Sequence, residues 1–411
     1  MVGLISGTSM DAVDVAVVDL ALSGDAVRLD TLGTDAVEYP PRLRARLAAA
    51  LPPGRCDTAE LCQLDTEVGQ AFAAAARHGL ARWGGGAAGL VGSLGQTIYH
   101  WVDGGRCRGT LQIGQPAWIA EATGLPVISD LRARDVAAGG HGAPLAALLD
   151  SWWLAAVSAG SDQPPSRGTT VALNLGGIAN ITVASGPDVV AYDTGPANAL
   201  LDAACLELTR GRHDHDPGGT LAADGRVLDG LLDRLLADPY YAAPPPKSTG
   251  KEYFNGDYLR TALASWWGDR PDDGRPGTAD LLATLVELTA RTVADACARH
   301  RADRVVVSGG GVGNRTLMSA LARAVAPAEV VTAEALGLPS DGKEACLAAL
   351  LGFLGWHGLP ANLPSATGAS GPRLLGSITP GADPLTLPQP HPQRPRRLLL
   401  GEVDRQLPTA I

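Results

Sequence analysis

A chain of 411 residues is longer than one hydrophobic core usually organises and predicts two domains. Its hydrophobic (45%) and charged (18%) fractions are those of a globular protein, and a formal net charge of −10 argues against nucleic acid as a partner, since phosphate backbones need clustered Lys and Arg. No segment approaches the roughly 18 uninterrupted apolar residues of a membrane helix, no basic and apolar leader opens the chain, and the scattered cysteines (56, 62, 107, 205, 297 and 346) form no C-x-x-C; we expect a reduced, cytoplasmic protein with no membrane partner.

Residues 2–5 and 15–20 are apolar runs separated by a small polar turn, the pattern of a hairpin. Residues 43–51 and 58–83 are rich in Ala, Leu and Arg and predict helices, while 90–92 and 126–128 predict short buried strands. The polar stretch 158–170 predicts a linker. The opening pattern then returns as a strand at 171–175, a Gly176-Gly177 turn and a second strand at 181–183. A helix is predicted at 278–299, with Leu281, Leu285 and Leu288 on one face and Thr278 as N-cap, then a strand at 305–307 and an apolar helix at 344–356. Beyond Pro372 the chain becomes Pro-rich and carries Arg394, Arg396 and Arg397, so 376–411 predicts a mobile tail.

Three glycine-containing turns follow predicted strands. In Gly7-Thr8-Ser9-Met10-Asp11, backbone N–H groups and small hydroxyls suit phosphate oxygens, and Asp11 is placed to hold hydrated Mg²⁺; an ordinary hairpin turn is the alternative. Asn174-Leu175-Gly176-Gly177 repeats the design. Ser308-Gly309-Gly310-Gly311-Val312-Gly313-Asn314 offers a glycine surface on which a nucleoside can lie, without the acidic residue about 20 positions on that a dinucleotide fingerprint expects. Two phosphate turns followed by a nucleoside turn is the order seen in the actin, hexokinase and heat-shock ATPase superfamily. That resemblance implies an α/β fold of two domains, mixed sheets flanked by helices, with ATP in a cleft between them; there is no Walker or protein-kinase motif. The domains expected are 1–168 joined by 345–375, and 169–344.

Asp193 ends a predicted strand at a Gly-Pro turn, a place for a general base or for an Asx-turn or helix cap. The run Arg212-His213-Asp214-His215-Asp216 has no third spaced ligand and reads as a solvated loop rather than a metal site.

Over nearly all of residues 1–375 the chain resembles the anhydro-N-acetylmuramic acid kinases. GTSMD at 7–11, GSLGQT at 92–97, the run from Gln112 to Pro144, NLGGIANIT at 174–182, DTGPAN at 193–198, PKSTGKEYFN at 246–255, SGGGVGN at 308–314 and DGKEA at 341–345 carry the match. The resemblance implies an ATP-dependent enzyme of cell-wall recycling that opens a 1,6-anhydro amino sugar with water and phosphorylates its O6. It implies Asp193 as the base, Glu344 as a group orienting water or sugar, Arg132 on the lactyl carboxylate, and Gln96, Thr97 and Asn198 on the sugar. Gly7, Thr8, Ser9, Met10, Asp11, Ala12, Val13 and Asp14, with Asn174, Gly176, Gly177, Gly309, Gly310, Gly311 and Asn314, are the implied nucleotide site, and a homodimer is the implied assembly. Read without the resemblance, Arg132 can pair with Asp130 or Asp135, Glu344 can be a first-turn acid, and Lys247-Ser248-Thr249-Gly250 can meet phosphate or sugar or simply shape a loop. Leu94 replaces the family's usual histidine, removing a polar contact on the sugar side, and Ala12 and Ala197 stand where glycine is usual. The competing readings are a kinase of another, levoglucosan-like anhydrosugar, for which Arg132 has no carboxylate to bind, and a nucleotide-gated sugar sensor without turnover.

Overall fold

The apolar runs at the start of the chain form strands that are longer than their hydrophobic cores: β1 (Val2–Ser6) and β2 (Ala12–Ser23) pair antiparallel, and β3 (Ala26–Glu38) continues the meander. The computed structural model describes residues 1–7, 10–51, 54–160, 169–185, 188–245, 247–268, 277–389 and 391–401. The later strands are β4 (Val91–Asp103), β5 (Arg106–Ile113), β6 (Val127–Ser129), β7 (Thr169–Leu175), β8 (Ile178–Ser185), β9 (Asp188–Pro196), β10 (Ala302–Ser308), β11 (Glu329–Thr332), β12 (Ser377–Thr379) and β13 (Arg397–Leu400). The helices needed below are α1 (Pro41–Ala50), α2 (Thr58–Trp83), α3 (Ala133–Ala137), α4 (Ala146–Gly160), α5 (Asn198–Leu208), α6 (Thr278–Arg299), α7 (Arg315–Ala324) and α8 (Lys343–Trp356).

The chain divides into two units, residues 1–160 with 336–411, and residues 161–335. The first contains a mixed sheet of order β12-β6-β4-β1-β2-β3-β13, with β5 paired to β4. The second contains a mixed sheet of order β11-β10-β7-β8-β9. Strand for strand, β6-β4-β1-β2-β3 and β11-β10-β7-β8-β9 have the same pairing: parallel up to the first strand of the meander, antiparallel after it. The echo seen in the sequence is therefore a repeated sheet, and both units are α/β.

In the first unit, Leu4, Val15, Val68 and Phe72 lie in a core closed by α1 and α2. Helix α8 is apolar on every side, and its residues 345–354 are buried. It can approach β1 only because residue 3 is glycine; a Cβ there would collide with the Ala345 carbonyl oxygen. In the second unit, Val171, Leu173, Leu285 and Val305 belong to a core between the sheet and helices that include α6.

Three expectations change. Residues 377–379 and 397–400, placed in a mobile tail, are strands: β12 pairs antiparallel with β6, and β13 pairs parallel with β3. Thr278 is the first helical residue of α6 and Gly277 occupies the N-cap, without a side-chain bond. Helix α4 runs to Gly160 and β7 begins at Thr169, so the expected linker at 158–170 narrows to 161–168, which lies outside the described residues.

Candidate active site

In the first unit, the β1–β2 turn is anchored from below. Ser6 Oγ donates to the Ala12 carbonyl at 2.9 Å, and the peptide N–H of Tyr39 donates to the Asp11 carbonyl at 2.9 Å. Gln96, only 2% exposed, donates through Nε2 to the Gly7 carbonyl at 3.4 Å, which ties β4 to the turn. Met10 has φ of 53°, a left-handed conformation that a tight turn imposes. Thr8 and Ser9 lie outside the described residues. Val13 is fully buried in the core and Ala12 nearly so, so only their backbone can face a ligand.

Carboxylates gather beside this turn. Burial, followed by the charges of Glu344, Asp11 and Asp341, pushes the Asp14 carboxyl up to about 7. Glu344, in the first turn of α8, is held above the usual carboxylate range by burial, with the charges of Arg132 and Lys343 pulling it back. Lys343 itself forms a buried ion pair with Asp150 of α4 at 2.6 Å.

Arg132 precedes α3. Its Nη1 donates to the Gly142 carbonyl at 2.7 Å, and the charge of Glu344 opposes the downward push that burial exerts on the guanidinium. Asp135 does not pair with it. That fully buried carboxylate accepts from Gly142 N–H (2.8 Å), Asn362 Nδ2 (2.6 Å) and Thr367 Oγ1 (2.7 Å), fixing the loop whose carbonyl orients Arg132. Thr97 Oγ1 accepts from Gln112 Nε2 at 3.2 Å. A cavity of about 430 Å³ opens in this unit, with Ser93, Leu94, Gln112 and Asp130 in its wall. The buried Ser93 Oγ and Gln112 Oε1 have no hydrogen-bond partner among the described residues, while Leu94 makes its part of the wall apolar.

In the second unit, strand register brings the motifs into one row. Ser308 of β10 is paired with Asn174 of β7, Asn174 with Asn180 of β8, and Asn180 with Asp193 of β9. At strand spacings of about 4.8 Å, Asp193 is roughly 10 Å from Asn174 along this row. The glycine turns after β10 and β7 are in contact: a Cβ on Gly309, whose φ is 87°, would lie 2.5 Å from Asn174 Oδ1 and 2.9 Å from the Leu175 carbonyl oxygen. The carbonyls of Gly176 and Gly177 accept from the peptide N–H groups of Ala197, Asn198 and Ala199, closing the amino end of α5, and Asn198 Nδ2 donates to the Leu175 carbonyl at 3.3 Å. Gly310 has open space where a side chain would project.

Asp193 caps no helix; α5 has Ala197 at its N-cap and no side-chain cap bond. A loop embraces it instead. The Asp193 N–H donates to the Lys247 carbonyl (3.2 Å), the Thr249 N–H donates to Asp193 Oδ2 (2.9 Å), and Tyr240 Oη donates to the Asp193 carbonyl (2.7 Å). Burial pushes the carboxyl up to about 7, with the Thr249 bond opposing. A carboxylate held there has the proton affinity of a base that works near neutrality.

Asn314, expected on the nucleotide, also has a structural task. It is the N-cap of α7, its Oδ1 accepting from Leu317 N–H at 2.9 Å, and it is only 8% exposed. Asp216, in the run read as a solvated loop, is buried, and its carboxylate accepts from the N–H groups of Leu221 and Ala222. Among the described residues no three His, Cys, Asp or Glu side chains converge to hold a metal, and no helix is long and apolar enough to cross a membrane. Sequence reasoning missed Tyr240, and it read Lys247-Ser248-Thr249-Gly250 as meeting phosphate or sugar or shaping a loop, without showing that the Thr249 peptide holds Asp193.

The model of the family described as anhydro-N-acetylmuramic acid kinase matches residues 1–381. A protein of that name from Streptomyces avermitilis is 53% identical over 400 residues, covering 97% of this chain and 99% of the relative. Another, from Rhodococcus erythropolis, is 49% identical over 406 residues, covering 97% and 98%. Among solved structures, component A of (R)-2-hydroxyglutaryl-CoA dehydratase from Acidaminococcus fermentans matches with a TM-score of 0.41 and 12% identity, covering 86% of this chain and 97% of that one.

Proposed function

The chain belongs to the anhydro-N-acetylmuramic acid kinase family, and from that premise we propose that it uses ATP and water to convert 1,6-anhydro-N-acetylmuramic acid into N-acetylmuramic acid 6-phosphate, with Asp193 as the general base. The observation that carries the assignment of the base is the Asp193 carboxylate, held by the Thr249 N–H in the row of the glycine motifs and poised near neutral pH.

In this reading Asp193 takes a proton from water as the water oxygen bonds to the anomeric carbon. The bond from that carbon to the bridging oxygen breaks, and O6, relieved of the bridge, attacks the terminal phosphorus of ATP as the bond to ADP breaks. The ionised base and the incipient alkoxide share one proton inventory, so no free 6-hydroxyl has to be deprotonated separately. Arg132, held by the Gly142 carbonyl, offers its remaining donors to the carboxylate of the lactyl group, and Glu344 orients water or sugar. We assign sugar contacts to Gln96 and Thr97 in the first unit and to Asn198 in the second, and nucleotide contacts to the β1–β2 turn in the first unit and to the β7–β8 and Gly309–Gly311 turns in the second.

Magnesium fits this unit in one way. The mutual repulsion of Asp14, Asp11, Asp341 and Glu344 is what a divalent cation would relieve, yet among the described residues the side chains form no cage for one. We therefore assign Asp11 to the hydration shell of an ion that arrives on ATP, where it neutralises phosphate charge. The need for ATP places the reaction in the cytoplasm, and a homodimer, as the family resemblance implies, is the expected assembly.

The test is turnover in H₂¹⁸O. The expected products are ADP and a reducing 6-phosphosugar with the label at C1. Label-free product, or ADP formed without phosphosugar, would overturn the reading.

A further inference from the structure

We propose that Lys251 supplies the positive charge that receives the transferred phosphoryl group at the Gly176–Gly177 turn, an inference that rests on the kinase reading above. The stem of Lys251 lies on the turn: a Cβ on Gly177 would be 2.6 Å from Lys251 Cε and 3.6 Å from Nζ. A residue larger than glycine at 177 would displace that stem, so the glycine serves the lysine as much as the turn.

The charge on Lys251 is not otherwise used. Among the described residues its ammonium makes no ion pair and no hydrogen bond. The other lysine of the same motif, Lys247, is committed: its Nζ donates to the carbonyls of Tyr240 (2.9 Å) and Tyr241 (3.3 Å) and lies 4.5 Å from the centre of the Tyr240 ring. Nor is Lys251 there to satisfy the carbonyls of the turn, because those of Gly176 and Gly177 already accept from the amino end of α5. A half-buried lysine whose ammonium sits beside a glycine turn, with no carboxylate paired to it among the described residues, is what an anion site requires.

The loop also links this cation to the base. Thr249, two residues earlier, gives its N–H to the Asp193 carboxylate. Movement of the 247–251 loop would therefore displace the base and the phosphate-facing charge together, so that proton removal and phosphoryl capture share one support.

Lys251→Met tests this, since methionine keeps a flexible apolar stem and removes the charge. Relative to wild type, kcat should fall by about 10²–10³, the range for one lost transition-state donor. Lys251→Arg should recover at least a tenth of wild-type kcat. Binding of a non-hydrolysable ATP analogue should weaken roughly tenfold while ADP binding stays constant, because only the former presents a γ-phosphate. A Lys251→Met enzyme with kcat within about threefold of wild type would overturn the proposal. So would equal losses of analogue and ADP binding with a lowered Tm, which would mean that Lys251 only packs on the turn. Inactive wild type would instead overturn the kinase reading, so the two failures are distinguishable.

Discussion

Around the β1–β2 turn the carboxylates of Asp11, Asp14, Asp341 and Glu344 gather, whereas the matching β7–β8 turn has the ammonium of Lys251 against Gly177, the amide side chains of Asn174 and Asn198 beside it, and the Asp193 carboxylate farther along the same strand row. The sheets that carry these turns pair strand for strand in the same way. One backbone device thus appears twice with opposite charge. On the proposed reading, a phosphate would approach the second turn directly, while the first would repel it unless a cation came too. The contrast teaches that a repeated supersecondary unit fixes where backbone N–H groups and glycines fall, and that the side chains around it decide which partner charge each copy needs.

The strongest way to sharpen the comparison is to remove the Asp193 carboxylate from the second unit. Asp193→Asn should lower kcat by about 10²–10⁴. In wild type, kcat/KM for the sugar should decline about tenfold per pH unit below a value near 7, where Asp193 gains its proton. The same group affects stability with a definite sign. Its folded pKa is raised above the unfolded value of 3.8, so between about pH 4 and 7 the folded state binds more protons and stability falls as pH rises. Chemical denaturation from pH 5 to 8 should show that decline in wild type and a flatter profile in Asp193→Asn. A wild-type acid limb that survives in the variant would assign the base elsewhere.

A smaller effect separates ligand contact from scaffold within the second unit. Asn314→Ala should reduce stability by about 1 kcal/mol, the usual cost of a lost N-cap, and leave KM for ATP unchanged. A raised KM with unchanged stability would return Asn314 to the nucleotide.

Much of this arrangement was legible in the sequence because it is local. The strand–turn–strand units announce themselves through short apolar runs broken by Gly, Ser and Asn, and the helix at 278–299 through its leucine spacing. What local pattern could not show is pairing between distant segments. Residues 397–400 look like part of a Pro-rich tail, yet they find the free edge of β3. Lys251 looks like any surface lysine until the fold lays it on Gly177. Asp135 looks like an ion-pair partner for Arg132, but its oxygens are taken by Gly142, Asn362 and Thr367. Asn314 follows a glycine-rich run and invites a ligand role, though an Asn before a helix has a cheaper use as its cap.

The most direct test of the opposite-charge account is a magnesium titration of kcat in wild type, Asp11→Asn and Lys251→Met. Asp11→Asn should raise the half-saturating magnesium concentration by about 10–100-fold, the range for a lost outer-shell partner, and Lys251→Met should leave it where it is in wild type. A magnesium requirement that moves with Lys251 and not with Asp11 would contradict the account.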